Sequence, residues 1–118
     1  MPIMTGLALS GSTNGRPIPV AATSSPGTTL HTVSTATGVI EEVYLDLFNT
    51  ATAIRQITVE CGSTATGSHM VVNMPAQAGP FRVLAGVRFV GATGQIIAAF
   101  ATATGGVGAI GAVNRATP

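Results

Sequence analysis

The chain has no Lys and no Trp, one Tyr and one Cys, and its five Arg and four acidic residues make up only 8% of 118 positions. Soluble domains ordinarily carry about a quarter charged residues. The formal charge of +1 includes no basic run, so the counterion release that drives nucleic-acid binding has little to act on. Tyr44 alone, with no Trp, also gives bases few platforms for stacking. No nucleic-acid partner is expected. The single Cys61 forbids an intrachain disulfide and reads as a small buried hydrophobe in a strand. No run of about 18 apolar residues exists to span a bilayer as a helix, and the first ten residues lack the basic start of a secretory signal. The expectation is synthesis in a cytoplasm, without export and without a membrane partner.

What is present is apolar: 46% of residues are hydrophobic, too many for a disordered chain. A folded chain of 11.7 kDa exposes about 5,900 Å², room for one domain. Nine charges are few for such a surface, so Thr, Ser, Gly and Ala must form much of it, or a partner must cover it.

Residues 1–27 hold Pro2, Pro17, Pro19 and Pro26 without a sustained period of 2 or 3.6. Proline fixes φ and removes a ladder donor, which predicts an extended Pro/Gly-rich N-terminal arm with at most one short edge strand. From residue 28 the pattern becomes short β-branched and aromatic runs divided by Gly, Pro, Asn and Ser, the pattern of an all-β domain over 28–118. Strands are predicted at 28–35, 42–49, 54–61, 70–74, 81–84, 87–90, 95–102 and 109–115. Val43, Leu45 and Leu47 alternate with Tyr44, Asp46 and Phe48, and Ile57, Val59 and Cys61 share a face, as half-buried strands require. The nearly all-apolar stretch at 95–103 reads as a central strand. Thr and Gly fill about a quarter of the chain and leave no good helical window.

Several signals resemble chemistry. Gly106-Val107-Gly108-Ala109-Ile110-Gly111 matches G-x-G-x-x-G, but no Asp or Glu follows Glu60, so the dinucleotide reading gives way to a glycine-rich turn between strands. Thr-Ala-Thr-Gly recurs at 35–38, 64–67 and 102–105 without a fixed period, and reads as turns whose Gly takes positive φ. His31, His69, Cys61 and Glu60 lack metal-ligand spacing, and no Cys–His pair has an orienting third residue. Glu41 and Glu42 point to opposite faces of a strand, which suits a solvated strand start rather than paired-carboxylate catalysis. Arg82 and Arg88, on two predicted strands, read as solvated charges. No catalytic residue, metal or cofactor is expected, and the chain reads as a non-enzyme.

The segments Thr29-Leu30-His31-Thr32-Val33, Glu42-Val43-Tyr44-Leu45 with Asn49, Ile57-Thr58-Val59-Glu60-Cys61-Gly62, Ala99-Phe100-Ala101 and Ala112-Val113-Asn114-Arg115 together resemble small virion proteins of tailed bacteriophages. The resemblance covers residues 28 to 115. It implies an antiparallel, jelly-roll-like β-sandwich, commonly trimeric, that serves as a capsid cement or decoration protein or elsewhere on the particle.

The expected function is therefore a structural virion protein on the outer surface of the phage head, made in the host cytoplasm. It would form a homotrimer and bridge major capsid protein subunits or other virion proteins. The arm would supply the partner contacts through Ile3, Leu7, Leu9, Arg16, Ile18 and Val20. The alternatives are a tail, neck, spike or fibre component, or a receptor- or carbohydrate-binding β module. Sugar sites favour an aromatic platform, which four Phe and one Tyr barely supply.

Overall fold

The computed structural model describes residues 3–118, which fold into two antiparallel sheets packed as a β-sandwich. The strands are β1 (Ile3–Ala8), β2 (Ile18–Pro19), β3 (Thr28–Thr32), β4 (Ile40–Asn49), β5 (Arg55–Cys61), β6 (His69–Met74), β7 (Ala78–Val90), β8 (Ile96–Ala101) and β9 (Val107–Thr117). One 3-10 turn, Thr66–Ser68, is the sole helical element among the described residues. One sheet has the order β1-β9-β4-β7, with β2 also on β9, and the other has the order β3-β8-β5-β6. The pairings are nested: the β5–β6 hairpin lies inside β4–β7, which lies inside β3–β8, which lies inside β1–β9.

The period-2 pattern of β4 drives this arrangement. Val43, Leu45 and Leu47 are at most 1% exposed and face Ile57, Val59, Ile97 and Ala99 in the core, while Tyr44, Asp46 and Phe48 are half-buried on the outer face. Strand β8 is central, hydrogen-bonded by β3 and β5, as its apolar run implies.

Three features differ from the sequence-based expectation. First, residues 3–20 do not form an arm outside the domain. Strand β1 covers one half of β9 (Ile3↔Thr117 to Ala8↔Ala112) and β2 covers the other (Ile18↔Ala109, Pro19↔Gly108). Leu9, Ile18 and Val20 are buried in the shared core. Prolines are tolerated at a sheet edge, so Pro17 and Pro19 shorten β2 to two residues and obscure its period without excluding it. Residues 1 and 2 of the expected arm lie outside the described residues.

Second, the strands expected at 81–84 and 87–90 are one strand. Val43 pairs with Val87 and Tyr44 with Ala85, leaving Gly86 (φ +76°) as the extra residue of a bulge. Third, β9 begins at Val107, so Gly108 and Gly111 belong to a strand and only Gly105 and Gly106 form the turn. A Cβ on Gly111 would stand 2.0 Å from the Tyr44 carbonyl oxygen, and one on Gly108 would meet the Phe48 ring. Those glycines allow close packing within a strand, and no helix begins at them. Of the Thr-Ala-Thr-Gly copies, Gly38 and Gly105 take positive φ, whereas Gly67 lies in the 3-10 turn.

Candidate functional site

Among the described residues, the only His–carboxylate contact sealed inside the sandwich joins residues that the sequence did not connect. His31 is 1% exposed, and its Nδ1 lies 3.1 Å from the Ser10 amide. A backbone N–H can only donate, so Nδ1 accepts and the ring proton sits on Nε2, which donates to Glu41 Oε1 at 2.6 Å. The other Glu41 oxygen accepts from Arg115 Nε at 2.7 Å and from the Ser34 amide at 3.3 Å. Burial alone would raise the Glu41 pKa, but the hydrogen bonds from His31 and Arg115 and the Arg115 charge outweigh it and hold the carboxyl below its ordinary value. The solvated strand start expected for Glu41 is thus corrected: Glu41 follows the inward parity of Val43 and Leu45, and ion pairing makes its burial tolerable.

Ser10, His31 and Glu41 are the residue types of a nucleophilic triad, yet the geometry is that of a clamp. Ser10 offers the imidazole its amide, while its hydroxyl accepts from the Thr32 N–H at 2.7 Å. A general base needs a free ring nitrogen on the attacking oxygen, and both nitrogens here are occupied. The cluster ties the segment after β1 to β3, β4 and β9.

A second clamp holds residues 21–27 against the outer face of the four-stranded sheet. Glu60, 1% exposed, accepts from Ser25 Oγ at 2.5 Å and from the Gly27 amide at 2.7 Å, with His69 Nε2 at 3.5 Å. Burial again raises its pKa, and Ser25, Gly27 and His69 together lower it further, below the ordinary carboxylate range. The hollow beside it, about 290 Å³, is lined by Pro26, Thr29, Ser63 and Ile96 among others. Both carboxylate oxygens are already engaged by the loop.

The four residues weighed as metal ligands separate. Glu60 meets His69, His31 meets Glu41, and Cys61 Sγ lies 3.5 Å from Met70 Sδ. Among the described residues no three His, Cys, Asp or Glu side chains converge. Cys61 is half-buried beside the core, and burial raises its thiol pKa, which disfavours the nucleophilic thiolate.

The outer face of the five-stranded sheet is different: it is left open. Cross-strand register arranges it in rows. Met4, Ala116, Ile40 and Val90 form one row across β1, β9, β4 and β7, followed by Gly6, Asn114, Glu42 and Arg88. The next rows are Ala8, Ala112, Tyr44 and Ala85, then Ile110, Asp46 and Arg82. Apolar rows thus alternate with ion-paired ones. Arg88 Nε lies 3.0 Å from Glu42, and Arg82 Nε lies 2.8 Å from Asp46 and stacks over Tyr44. Arg82 and Arg88 therefore stand on one strand and not two, each opposite an acid, and remain solvated as expected, with side chains 54% and 71% exposed. Met4 and Val90 are about 60% exposed. At the far end Phe48, Ile110, Gln77 and Pro80 surround an open hollow of about 560 Å³.

Of the six residues assigned to partner contacts, Leu9, Ile18 and Val20 are core and Leu7 packs against it, while Ile3 and Arg16 are exposed. The cross-sheet register that builds the open face was not visible in the sequence, although the alternation of Tyr44, Asp46 and Phe48 marked its central strand. No protein-family model and no curated protein matches the chain. Among the described residues no helix is long and apolar enough to cross a membrane.

Proposed function

We propose that the chain is a structural virion protein of the jelly-roll class, a cement or decoration protein on the outer surface of a phage head. The nested pairing supports the jelly roll. With the two-residue β2 set aside, the strand orders are first-eighth-third-sixth and second-seventh-fourth-fifth, the winding of a rolled two-stranded ribbon. That architecture recurs in viral capsid and lectin domains, and the virion reading rests further on the resemblance described above.

The observation that carries the reading is the open face. Among the described residues all four carboxylates are engaged, and Arg16 and Arg55 are the only guanidinium groups without an acidic partner, on 6084 Å² of accessible surface. A face of apolar rows and neutralised pairs is suited to being covered by further copies, as a homotrimer, and by major capsid protein. Weak contacts of this kind gain strength when many copies share a lattice.

Cosedimentation of the purified protein with expanded, undecorated heads tests the proposal. Saturable binding at several hundred copies per head is the expected result, and absence of binding overturns it. A few copies per particle would instead place the protein in the tail, neck or spike. The hollow beside Phe48 and Gln77 favours one other reading, a carbohydrate-binding module, since an aromatic ring next to an amide is a sugar-binding pair. Specific signal on a glycan array, lost in Phe48→Ala, would select it.

A further inference from the structure

The two sheets have four edges, and two of them are guarded. The β3 edge is taken by its own chain, with the Gly11 amide on Leu30 O at 2.9 Å and Ser10 Oγ accepting from the Thr32 amide. The β7 edge carries Pro80, Arg82, Arg88 and three register shifts, devices that deter strand addition. The β6 edge, His69–Met74, is free of proline, acid, Lys and Arg and pairs in unbroken register, but it is the more polar of the remaining two: His69 and Asn73 are tied to Thr64 and Gln56, and Met70 and Val71 are 40% and 56% exposed. The β1 edge is the more apolar of the two unguarded ones. Ile3–Ala8 contains no charge, proline or bulge, pairs with β9 in unbroken register over six residues, and exposes Ile3 and Met4 at 63% each. An open, apolar, regular edge is a template for another strand.

We infer that β1 pairs antiparallel with β1 of a second copy across a two-fold axis at Thr5, extending the five-stranded sheet into a continuous sheet through both molecules. The register follows from the side chains. Facing residues of an antiparallel pair lie on the same side of the sheet, so only pairings with an even residue sum keep core-side residues together. Centred on Thr5, Ile3 faces Leu7 of the second copy on the core side. Met4 faces Gly6 on the outer side, where the nearest atom to a Gly6 Cβ is 3.9 Å away and room remains for a long side chain. Centred on Gly6 instead, Thr5 would face Leu7, and Ile3 would face Leu9, which is already buried in its own core. The edge carries no charge, so two copies meet without repulsion. Six residues a side fall short of a standard interface of about 1,600 Å². The contact is therefore weak in solution and suited to an array, where an edge joins neighbours that their sheet faces hold in place.

The inference rests on the proposed self-association and not on the virion role. The test is Thr5→Cys in a Cys61→Ser chain, oxidised at low concentration and run on a non-reducing gel. Paired Cα atoms in antiparallel strands stand about 4.5–5.5 Å apart, within disulfide reach. A disulfide dimer is expected from Thr5→Cys, with none from Ala8→Cys, whose thiol faces no partner thiol in this register. Equal crosslinking of both variants, or none from Thr5→Cys, overturns the inference. Thr5→Glu and Thr5→Lys keep the fold testable by a second route. Each alone should abolish the concentration-dependent dimer expected in sedimentation of the unaltered chain, and an equimolar mixture should restore it. Failure of the mixture to associate overturns the two-fold pairing. A crosslinked dimer that ignores phage heads would support the edge and refute the cement role, whereas head binding without the crosslink would do the reverse.

Discussion

The outer faces of the two sheets make opposite use of the same scarce charges. On the four-stranded sheet, the chain covers itself: Glu60 draws residues 21–27 over the sheet, and Thr58, Glu60 and Ala98, which would otherwise face solvent, are at most 8% exposed. On the five-stranded sheet, the charges pair across strands and no described segment lies over them. A buried carboxylate can thus close a face, whereas exposed pairs of opposite sign leave a face neutral and open. The difference distinguishes the side of the sandwich that the chain covers itself from the side it leaves exposed.

The N-terminal segment sharpens the comparison most severely, since it serves both the core and the open sheet. Removing residues 1–20 deletes β1, β2 and three buried side chains, each stabilising by about 1.5–3 kcal/mol, and uncovers the backbone of β9. That approaches the whole stability of a typical domain. Circular dichroism of the truncated chain should show loss of the cooperative transition. A truncated chain that stays folded would return the segment to the status of a detachable arm. Next in size is Glu41→Leu, which leaves the Arg115 guanidinium and the His31 Nε2–H without their acceptor. Breaking such a pair costs about 3 kcal/mol, at the low end of the range because the Arg115 side chain is one-third exposed. Urea unfolding measures it, with Glu41→Gln as the milder control.

Glu60→Ala tests the covered face alone. The Gly27 amide and Ser25 hydroxyl lose their acceptor, at about 1–3 kcal/mol, and residues 21–27 should become the first site of limited proteolysis. Acid acts on both clamps in the same direction. Glu41 and Glu60 have folded pKa values below the unfolded one, so the unfolded chain binds protons first. Their contribution is fully present above the unfolded value of about 4.3 and is lost as pH falls through the folded values. The urea midpoint should drop over that window, and the Glu41→Gln, Glu60→Gln double variant should flatten the drop.

The strands were legible in the sequence because a half-buried strand declares itself by parity: Val43, Leu45 and Leu47 against Tyr44, Asp46 and Phe48. The same parity places Glu41 on the buried side, but charge overrides it in any sequence-based reading unless the partners are known, and His31 and Arg115 lie 10 and 74 positions away. Leu9, Ile18 and Val20 were obscured for a different reason. Core residues on β2 and in irregular segments have no period to betray them, and prolines weigh against strand. The open face was invisible because it is a product of register: Met4, Ala116, Ile40 and Val90 become neighbours only through three pairings across the sheet.

The smallest stability effect is the one that most directly separates the two faces. Arg82 and Arg88 are more than half exposed and salt-screened, so Arg82→Ala with Arg88→Ala should leave the unfolding midpoint unchanged. The same pair of changes strips the neutralising partner from Asp46 and Glu42 and leaves two carboxylates on the open face. If that face is covered in the assembled protein, those uncompensated charges must be desolvated on contact, and a buried unpaired charge is strongly disfavoured. Assembly should then fail in a chain of normal stability, whereas Asp46→Asn and Glu42→Gln added to the same chain remove the charge and restore it. Light scattering of the double and quadruple variants reads this directly. Normal assembly of the double variant would mean that the rows of the five-stranded sheet face water throughout, and that the contacts of this protein are made at its edges.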